Sequence, residues 1–446
     1  MAAENHGETV NRMNQLPAAV RVCLALAPVR VCLVLGPFRR CLAVALLPVL
    51  AASAWAMAGW TDRNEYDLVL KIRVEASPQK QLELLNQWKQ KYPQSEMRQV
   101  RRELFLAAYQ ASGDVVHMFE TAREVLGEQS NNFVGVYWSA LLIPEIKDNK
   151  PETLDVGEKA ARQLQAGLDT YFAPSQKPEG VADADWQKQK SAAGLLALRA
   201  IGWVAWQRGD FAAAENSFTA YLNQEPKSAE IASWLGYVLA YQNKAIPAAW
   251  QLARASAMHD EGALPEVWRR QVDELVDRLY TTYHGDSEGL DKLKTASAAS
   301  PFPPADFLVE SAEAIKQRKA EEALTQADPE LAAWLRVFKQ LSGPDAEKYF
   351  LESMKPSPLP TLRGTVIRCT PAGKPSEVLL GLTSATAEEV VLKVSAPFAN
   401  PAEPGTQIHF QGTADTFTKE PFRLTVLADR ANVTGWPEAA PPRKKK

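Results

Sequence analysis

The sequence predicts a mainly α protein, an array of helical hairpins, followed by a small all-β barrel. Three observations lead there. From Trp60 to about Met354, apolar residues recur at intervals of three and four, as in "QLELLNQWKQ" and "VRRELFLAAYQ", and the breaks fall at short turn signals such as Ser112-Gly113-Asp114 and Gly209-Asp210. Residues 355–360, "KPSPLP", hold three prolines in six positions and read as a linker. Beyond them the period becomes two. "LRGTVIRC", "SEVLLGL", "EVVLKVS", "TQIHFQGTAD" and "FRLTVLA" read as five short strands parted by Pro, Gly and Asn turns.

The first 58 residues stand apart. They carry Arg12, Arg21, Arg30, Arg39 and Arg40 against only Glu4 and Glu8, and then an uncharged run, "CLAVALLPVLAASAWAMA", to Ala58. A basic start, an apolar middle and the small-residue end Ala56-Met57-Ala58 fit a secretory signal peptide cut before Gly59. An uncleaved membrane anchor is the other reading, since the run approaches the ~20 residues needed to span a bilayer. A Cys-Leu pair repeats at Cys23, Cys32 and Cys41, which points to local duplication or to a start downstream of Met1. With the leader removed, only Cys369 is left and no internal disulfide can form. Export without disulfides fits a bacterial periplasm or cell envelope.

Composition narrows the classes further. A hydrophobic fraction of 46% and a charged fraction of 23% are those of a globular protein, and a net charge of -3 gives no reason to expect a polyanionic partner. The sequence reads as holding no phosphate-binding loop, no GxGxxG, no HExxH, no GxSxG elbow and no CxxC. Ser77 to Lys80 spells SxxK without its companion motifs, and reads instead as a Ser77 cap before Pro78 at a helix start. His117, His259, His284 and His409 are scattered and mostly beside turns, so they read as solvated surface groups. The expectation is a protein with no catalytic residues, no metal and no cofactor. Asn432-Val433-Thr434 is a glycosylation sequon that matters only on a eukaryotic secretory route.

"IGWVAWQRGDFAAAENSFTAYLNQEP", Ile201 to Pro226, carries the most information. Gly202 and Ala214 let two helices approach, Gly209 supplies the turn, Phe218 fills the gap and Pro226 ends the second helix. A shift of 34 positions tests the pattern within the chain: Gly202 falls on Gly236, Ala205 on Leu239, Gly209 on Asn243, Ala214 on Ala248, Phe218 on Leu252 and Tyr221 on Ala255. Asn substitutes well for Gly at a left-handed turn. An earlier, looser unit, "LFLAAYQASGDVVHMFETAREVL", turns at Gly113, and 131–170 and 262–350 are helical without a clear motif.

These residues resemble the tetratricopeptide repeat. The resemblance implies a helical-repeat solenoid that binds a protein or peptide on its concave face, formed by the first helix of each unit. At the family's groove-lining positions stand Leu196, Arg199, Trp203, Trp206 and Gln207, then Glu230, Ser233, Tyr237, Ala240 and Tyr241. The expected partner-binding residues are Arg199, Trp203, Trp206, Gln207, Tyr237 and Tyr241. The family's charged clamp for a peptide carboxylate needs several Lys, Arg and Asn here. The aromatics found instead suit an apolar or extended segment. The other reading is that these aromatics pack on neighbouring helices of the same chain.

The C-terminal strands resemble an OB-fold, with "LRGTVIRCTP" as first strand and "PGTQIHFQGTADTFTKEPFRLT" following the turn at Pro404-Gly405. OB-folds often bind single strands through exposed aromatics in a basic groove. Here Arg363, Arg368, Lys374, Lys393, Lys419, Arg423 and Arg430 are scattered among acidic residues, and Phe398, Phe410, Phe417, Phe422 and Trp436 fall where a small core needs them.

The domain plan is therefore a signal peptide or anchor over 1–58, a helical-repeat domain over 59–354, a linker over 355–360, an OB-like barrel over 361–437 and a disordered basic tail, "PPRKKK", at the end of 438–446. The expected function is an exported, non-enzymatic scaffold or adaptor for other proteins. Nucleic-acid or polysaccharide binding by the barrel is the alternative, although no nucleic-acid partner is expected, and the membrane is met only through an uncleaved N-terminal segment. N-terminal sequencing of the protein recovered from its native envelope fraction should read from Gly59. A soluble cytoplasmic product that keeps residues 1–58 would remove the export reading.

Overall fold

The computed structural model describes residues 60, 62–260 and 262–437, so the leader and the basic tail lie outside the described residues. The chain is mostly helical with a C-terminal seven-stranded sheet. Two compact units meet in sequence at Ser311 and Ala312. This differs from the expected boundary at the proline-rich segment. Helices over 312–354 were expected to close the repeat domain, yet Trp334, Leu341, Phe350 and Met354 share a core with the strand residues Leu362, Val378 and Val426.

The first unit is a succession of helices: α1 (Arg63–Val74), α2 (Pro78–Lys91), α3 (Arg98–Ser112), α4 (Val115–Glu128), α5 (Phe133–Leu142), α6 (Pro151–Ala166), the single turn α7 (Leu168–Tyr171), α8 (Asp183–Gln207), α9 (Phe211–Gln224), α10 (Ala229–Tyr241), α11 (Ala245–Ala257), α12 (Glu266–His284) and α13 (Leu290–Ala299). Ser77 caps α2, accepting from the Lys80 amide, with Pro78 at the first helical position, as the sequence led us to expect. Three hairpins, α3–α4, α8–α9 and α10–α11, close with the same turn. In each, one residue stands in the left-handed region: Gly113 (φ 74°), Gly209 (φ 77°) and Asn243 (φ 60°). The next amide reaches back five residues, Asp114 to Tyr109 (2.9 Å), Asp210 to Ala205 (2.9 Å) and Lys244 to Leu239 (3.0 Å), which satisfies carbonyls the helix end leaves open.

The last two of these hairpins share a 34-residue register about their turns. α8 and α10 end at Gln207 and Tyr241, and α9 and α11 begin at Phe211 and Ala245. Their helices touch at equivalent points. A methyl group on Gly202 would stand 2.5 Å from the Phe218 ring, and one on Gly236 would stand 2.6 Å from Leu252. After α11 the pattern stops. Trp250 Nε1 donates to the Ser300 carbonyl (3.2 Å), Gln251 to Pro301 (2.8 Å) and Arg254 to Ser297 (3.1 Å), while Phe307 sets its ring against Trp250. These side chains hold the end of α13 and the segment after it against the back of the last hairpin.

The second unit begins with α14 (Ala312–Ala327), α15 (Pro329–Ser342) and the short α16 (Ala346–Tyr349), which runs into a π-helical turn over Phe350–Met354. The strands β1 (Leu362–Thr370), β2 (Glu377–Gly381), β3 (Val390–Val394), β4 (Gln407–Phe410), β5 (Thr413–Lys419), β6 (Phe422–Ala428) and β7 (Val433–Thr434) form one sheet in the order β5-β6-β3-β2-β1-β4-β7. All pairs are antiparallel except β3 with β6. Among the described residues the sheet ends at β5 and β7 and no ladder closes it, so the expected closed barrel is an open seven-stranded sheet. "TQIHFQGTAD", expected as one strand, divides at Gln411-Gly412. A methyl on Gly412 would lie 2.3 Å from the Leu427 carbonyl oxygen, so only glycine fits where the chain bends. Glu389 is buried at the centre. It accepts from the Leu382 and Thr383 amides (2.7 Å each), the Thr383 hydroxyl (2.7 Å) and Trp334 Nε1 (3.3 Å), which ties α15 to the sheet.

The hairpin contacts generate a paired expectation. Gly202→Ala should destabilise the helical unit by about 1–3 kcal/mol through overpacking on Phe218. Gly127→Ala, exposed near the end of α4 with nothing within 4 Å of the new methyl, should stabilise it by about 0.5–1 kcal/mol. Urea unfolding followed by helical circular dichroism measures both.

Candidate partner-binding surface

Arg199 leaves α8 into a site built by three segments. Its Nε and Nη2 donate to the two carboxylate oxygens of Glu230 (2.9 Å each), in the first turn of α10, and Nη2 also donates to Glu145 (2.8 Å), in the turn after α5. The guanidinium lies 5.0 Å from the ring centre of Trp234. The side chains of Arg199 and Glu145 are 8% and 9% exposed, so the pair is a core element. Burial alone would lower the Arg199 pKa, but Glu230 and Glu145 outweigh it and hold the group charged, above its ordinary value. Burial pushes the Glu145 carboxyl up, and Arg199 draws back only part of that shift.

The other expected groove residues divide by depth. Trp203 and Trp206 are buried. Trp206 stacks on Tyr237 (centroids 6.1 Å apart, 11° between planes), and Tyr241 stacks on Phe211 (5.0 Å, 3°). Gln207 accepts from Asn149 (2.8 Å). Tyr237, Tyr241 and Gln207 keep part of their surface open, whereas Arg199, Trp203 and Trp206 contribute chiefly to packing. Sequence reasoning missed Glu145, Trp234 and Asn149. Trp234 had a signal, since it sits between two groove positions of its helix. Glu145 and Asn149 belong to a stretch without a repeat motif.

The four described histidines sit apart with separate partners: His117 with Asp114 (2.7 Å), His259 with Arg269, His284 with the Glu310 carbonyl (2.8 Å) and His409 with Glu330 (3.3 Å). The sequence Gly285-Asp286-Ser287-Glu288-Gly289 does spell G-x-S-x-G, a match the sequence reading passed over. It links α12 to α13 and follows no strand, so it lacks the strand–turn–helix setting of a nucleophile elbow.

In the second unit the aromatic candidates and several of the basic ones are engaged, while Arg368 and Lys374 are exposed. Phe410 and Phe398 are buried, and Trp436 stacks on Phe398 at 3.7 Å. Phe417 packs on Phe350, and Phe422 on Phe338 and Trp334. Arg363 pairs with Asp328, Arg423 with Glu388 and Lys393 with Glu377, while Arg430 covers the Phe398 ring.

No family model matches the chain, and no curated protein matches it. Among solved structures it is similar to a tetratricopeptide repeat protein from Parabacteroides merdae ATCC 43184, with 13% identity and a TM-score of 0.26 over 53% of this chain and 96% of that one.

Arg199→Ala would strand Glu145 and should cost the helical unit about 3–5 kcal/mol in urea unfolding, the range for breaking a buried pair. Arg199→Ala combined with Glu145→Gln should cost less than the two single changes added together. Because the folded-state pKa of Glu145 is raised, its contribution is fullest below the unfolded glutamate value of about 4.3 and is lost as pH rises through the folded value. The stability of wild type relative to Glu145→Gln should therefore fall as pH rises above about 4.3.

Proposed function

We propose that this chain is an exported, non-enzymatic scaffold that holds other proteins in a bacterial periplasm or cell envelope. The observation that carries the reading is the repeated hairpin. Two units in a 34-residue register present Gln207, Tyr237 and Tyr241 with part of each side chain open, Tyr237 stacked on the buried Trp206 and Tyr241 on the half-buried Phe211. Stacked, half-open tyrosines offer a large apolar face with a polar tip at low entropic cost, which suits an extended protein segment. In this reading the hairpins continue as a short solenoid. Arg199 orients the face and does not grip the partner. The basic leader with its Ala56-Met57-Ala58 end supports export.

The C-terminal unit fits an accessory OB-like module. β4 and β5 are consecutive, one pairing with β1 and the other with β6, and a strand bent in this way would join the two ends of a partly open barrel. With its aromatics packed and much of its positive charge paired, a protein contact or spacer suits it better than a nucleic-acid groove.

Site-specific photo-crosslinking in the native envelope tests the proposal. A photoreactive phenylalanine analogue at Gln207 should give a discrete adduct with another protein, and Tyr241→Ala should reduce its yield. The same probe at Leu351, exposed in the second unit, should not give that adduct. Equal adducts at both positions, or none at Gln207, would reject the groove. Micromolar oligonucleotide binding by the whole chain, lost on changing Trp436, would favour the alternative.

A further inference from the structure

The loop joining α12 to α13 has a construction that the scaffold reading does not use. His284 ends α12, Gly285 reverses the chain at φ 104°, and Gly289 stands at φ 81° before α13. Both glycines hold conformations that other residues rarely adopt. The Tyr280 hydroxyl donates to the Glu288 carbonyl (2.5 Å), and a methyl on Gly289 would lie 2.7 Å from that hydroxyl. The turn is thus clamped from within the helix that precedes it.

This turn brings His284, Asp286 and Glu288 together, with one potential ligand atom of each within 4.8 Å of the others. The imidazole is held from outside the group. Its Nδ1 lies 2.8 Å from the Glu310 carbonyl oxygen, and its side chain is only 12% exposed. A carbonyl oxygen can only accept, so Nδ1 carries the hydrogen, and in the neutral ring Nε2 presents its lone pair. Nε2 faces Asp286 Oδ1 at 3.4 Å. A backbone carbonyl that fixes the ring and leaves the other nitrogen free is the usual support for a metal-bound histidine.

We propose that His284 Nε2, Asp286 and Glu288 bind one divalent transition-metal ion, zinc first. An imidazole nitrogen with two carboxylates favours zinc over magnesium or calcium, which take oxygen ligands. Zinc bonds of about 2.0–2.2 Å place ligand atoms no more than about 4.4 Å apart. Asp286 and Glu288 are exposed and have room to close that small difference. Three protein ligands leave a fourth position to water or to a donor from another molecule.

Zinc chloride is titrated into the purified full chain by calorimetry, with magnesium chloride as comparison. Compared with wild type, His284→Ala and the double variant Asp286→Asn with Glu288→Gln should each lose one zinc equivalent or weaken it by at least about tenfold. His117→Ala should leave that equivalent intact. The double variant keeps the loop's internal acceptors and guards against a folding defect in His284→Ala. Diethylpyrocarbonate labelling read by mass spectrometry gives a second, local measure: zinc should protect His284 in wild type and fail to do so in the double variant. Unchanged zinc stoichiometry and affinity in both variants, labelling of His284 indifferent to zinc, or no zinc uptake by the full chain would reduce the trio to an ion pair beside a free glutamate and overturn the assignment.

Discussion

The helical unit depends on how closely its paired helices approach. At Gly202 and Gly236 the space a methyl group would need is filled by Phe218 and Leu252, and at Gly157 it is filled by Ile143. At Gly202 and Gly236 the contact goes with a short, sharply reversed connection, which the left-handed residues Gly209 and Asn243 provide. It also sets the second helix at a fixed height against the first. The large side chains between hairpins, Trp206, Trp234, Tyr237 and Phe218, then interlock from one unit to the next.

That interlocking explains why a face expected to line a groove is partly core. α8 has 25 residues and packs against α5 and α6 as well as against α9. Positions along one stripe of it therefore pass from enclosed to open. Arg199 lies at the enclosed part, where a guanidinium needs paired carboxylates to be tolerated. Gln207 lies at the open end. The pairing of Arg199 with Glu145 and Glu230 brings three segments distant in sequence into one site, so the register of the hairpins against the preceding helices has an electrostatic as well as an apolar determinant.

Much of this was readable in the sequence where the signal was local. The turns at Gly113, Gly209 and Asn243, the Ser77 cap and the strands β1, β2, β3 and β6 follow from residue type and period. Non-local facts were hidden. Arg199 and Glu145 are 54 positions apart and nothing near either residue announces the pair. The proline-rich segment reads as a linker by composition, yet Leu359 is buried, its amide donates to the Gly412 carbonyl (2.7 Å), and Pro358 bridges to Thr413. An extended piece of chain with few amides can still serve a sheet when its remaining donor meets a strand end. β7 spans two residues, too few to show alternation.

The way the hairpin series stops has a bearing on how such a chain can lengthen. Trp250, Gln251 and Arg254 direct their donors onto the main-chain oxygens of 297–301, so the outer side of α11 is committed to a segment unlike itself. A duplicated copy of 211–244 inserted within the series would meet surfaces made for its own kind. A copy appended after 257 would face donors shaped for irregular backbone. Added length would therefore keep the existing contacts only in the interior of the array, because a unit placed after 257 would break the bonds from Trp250, Gln251 and Arg254.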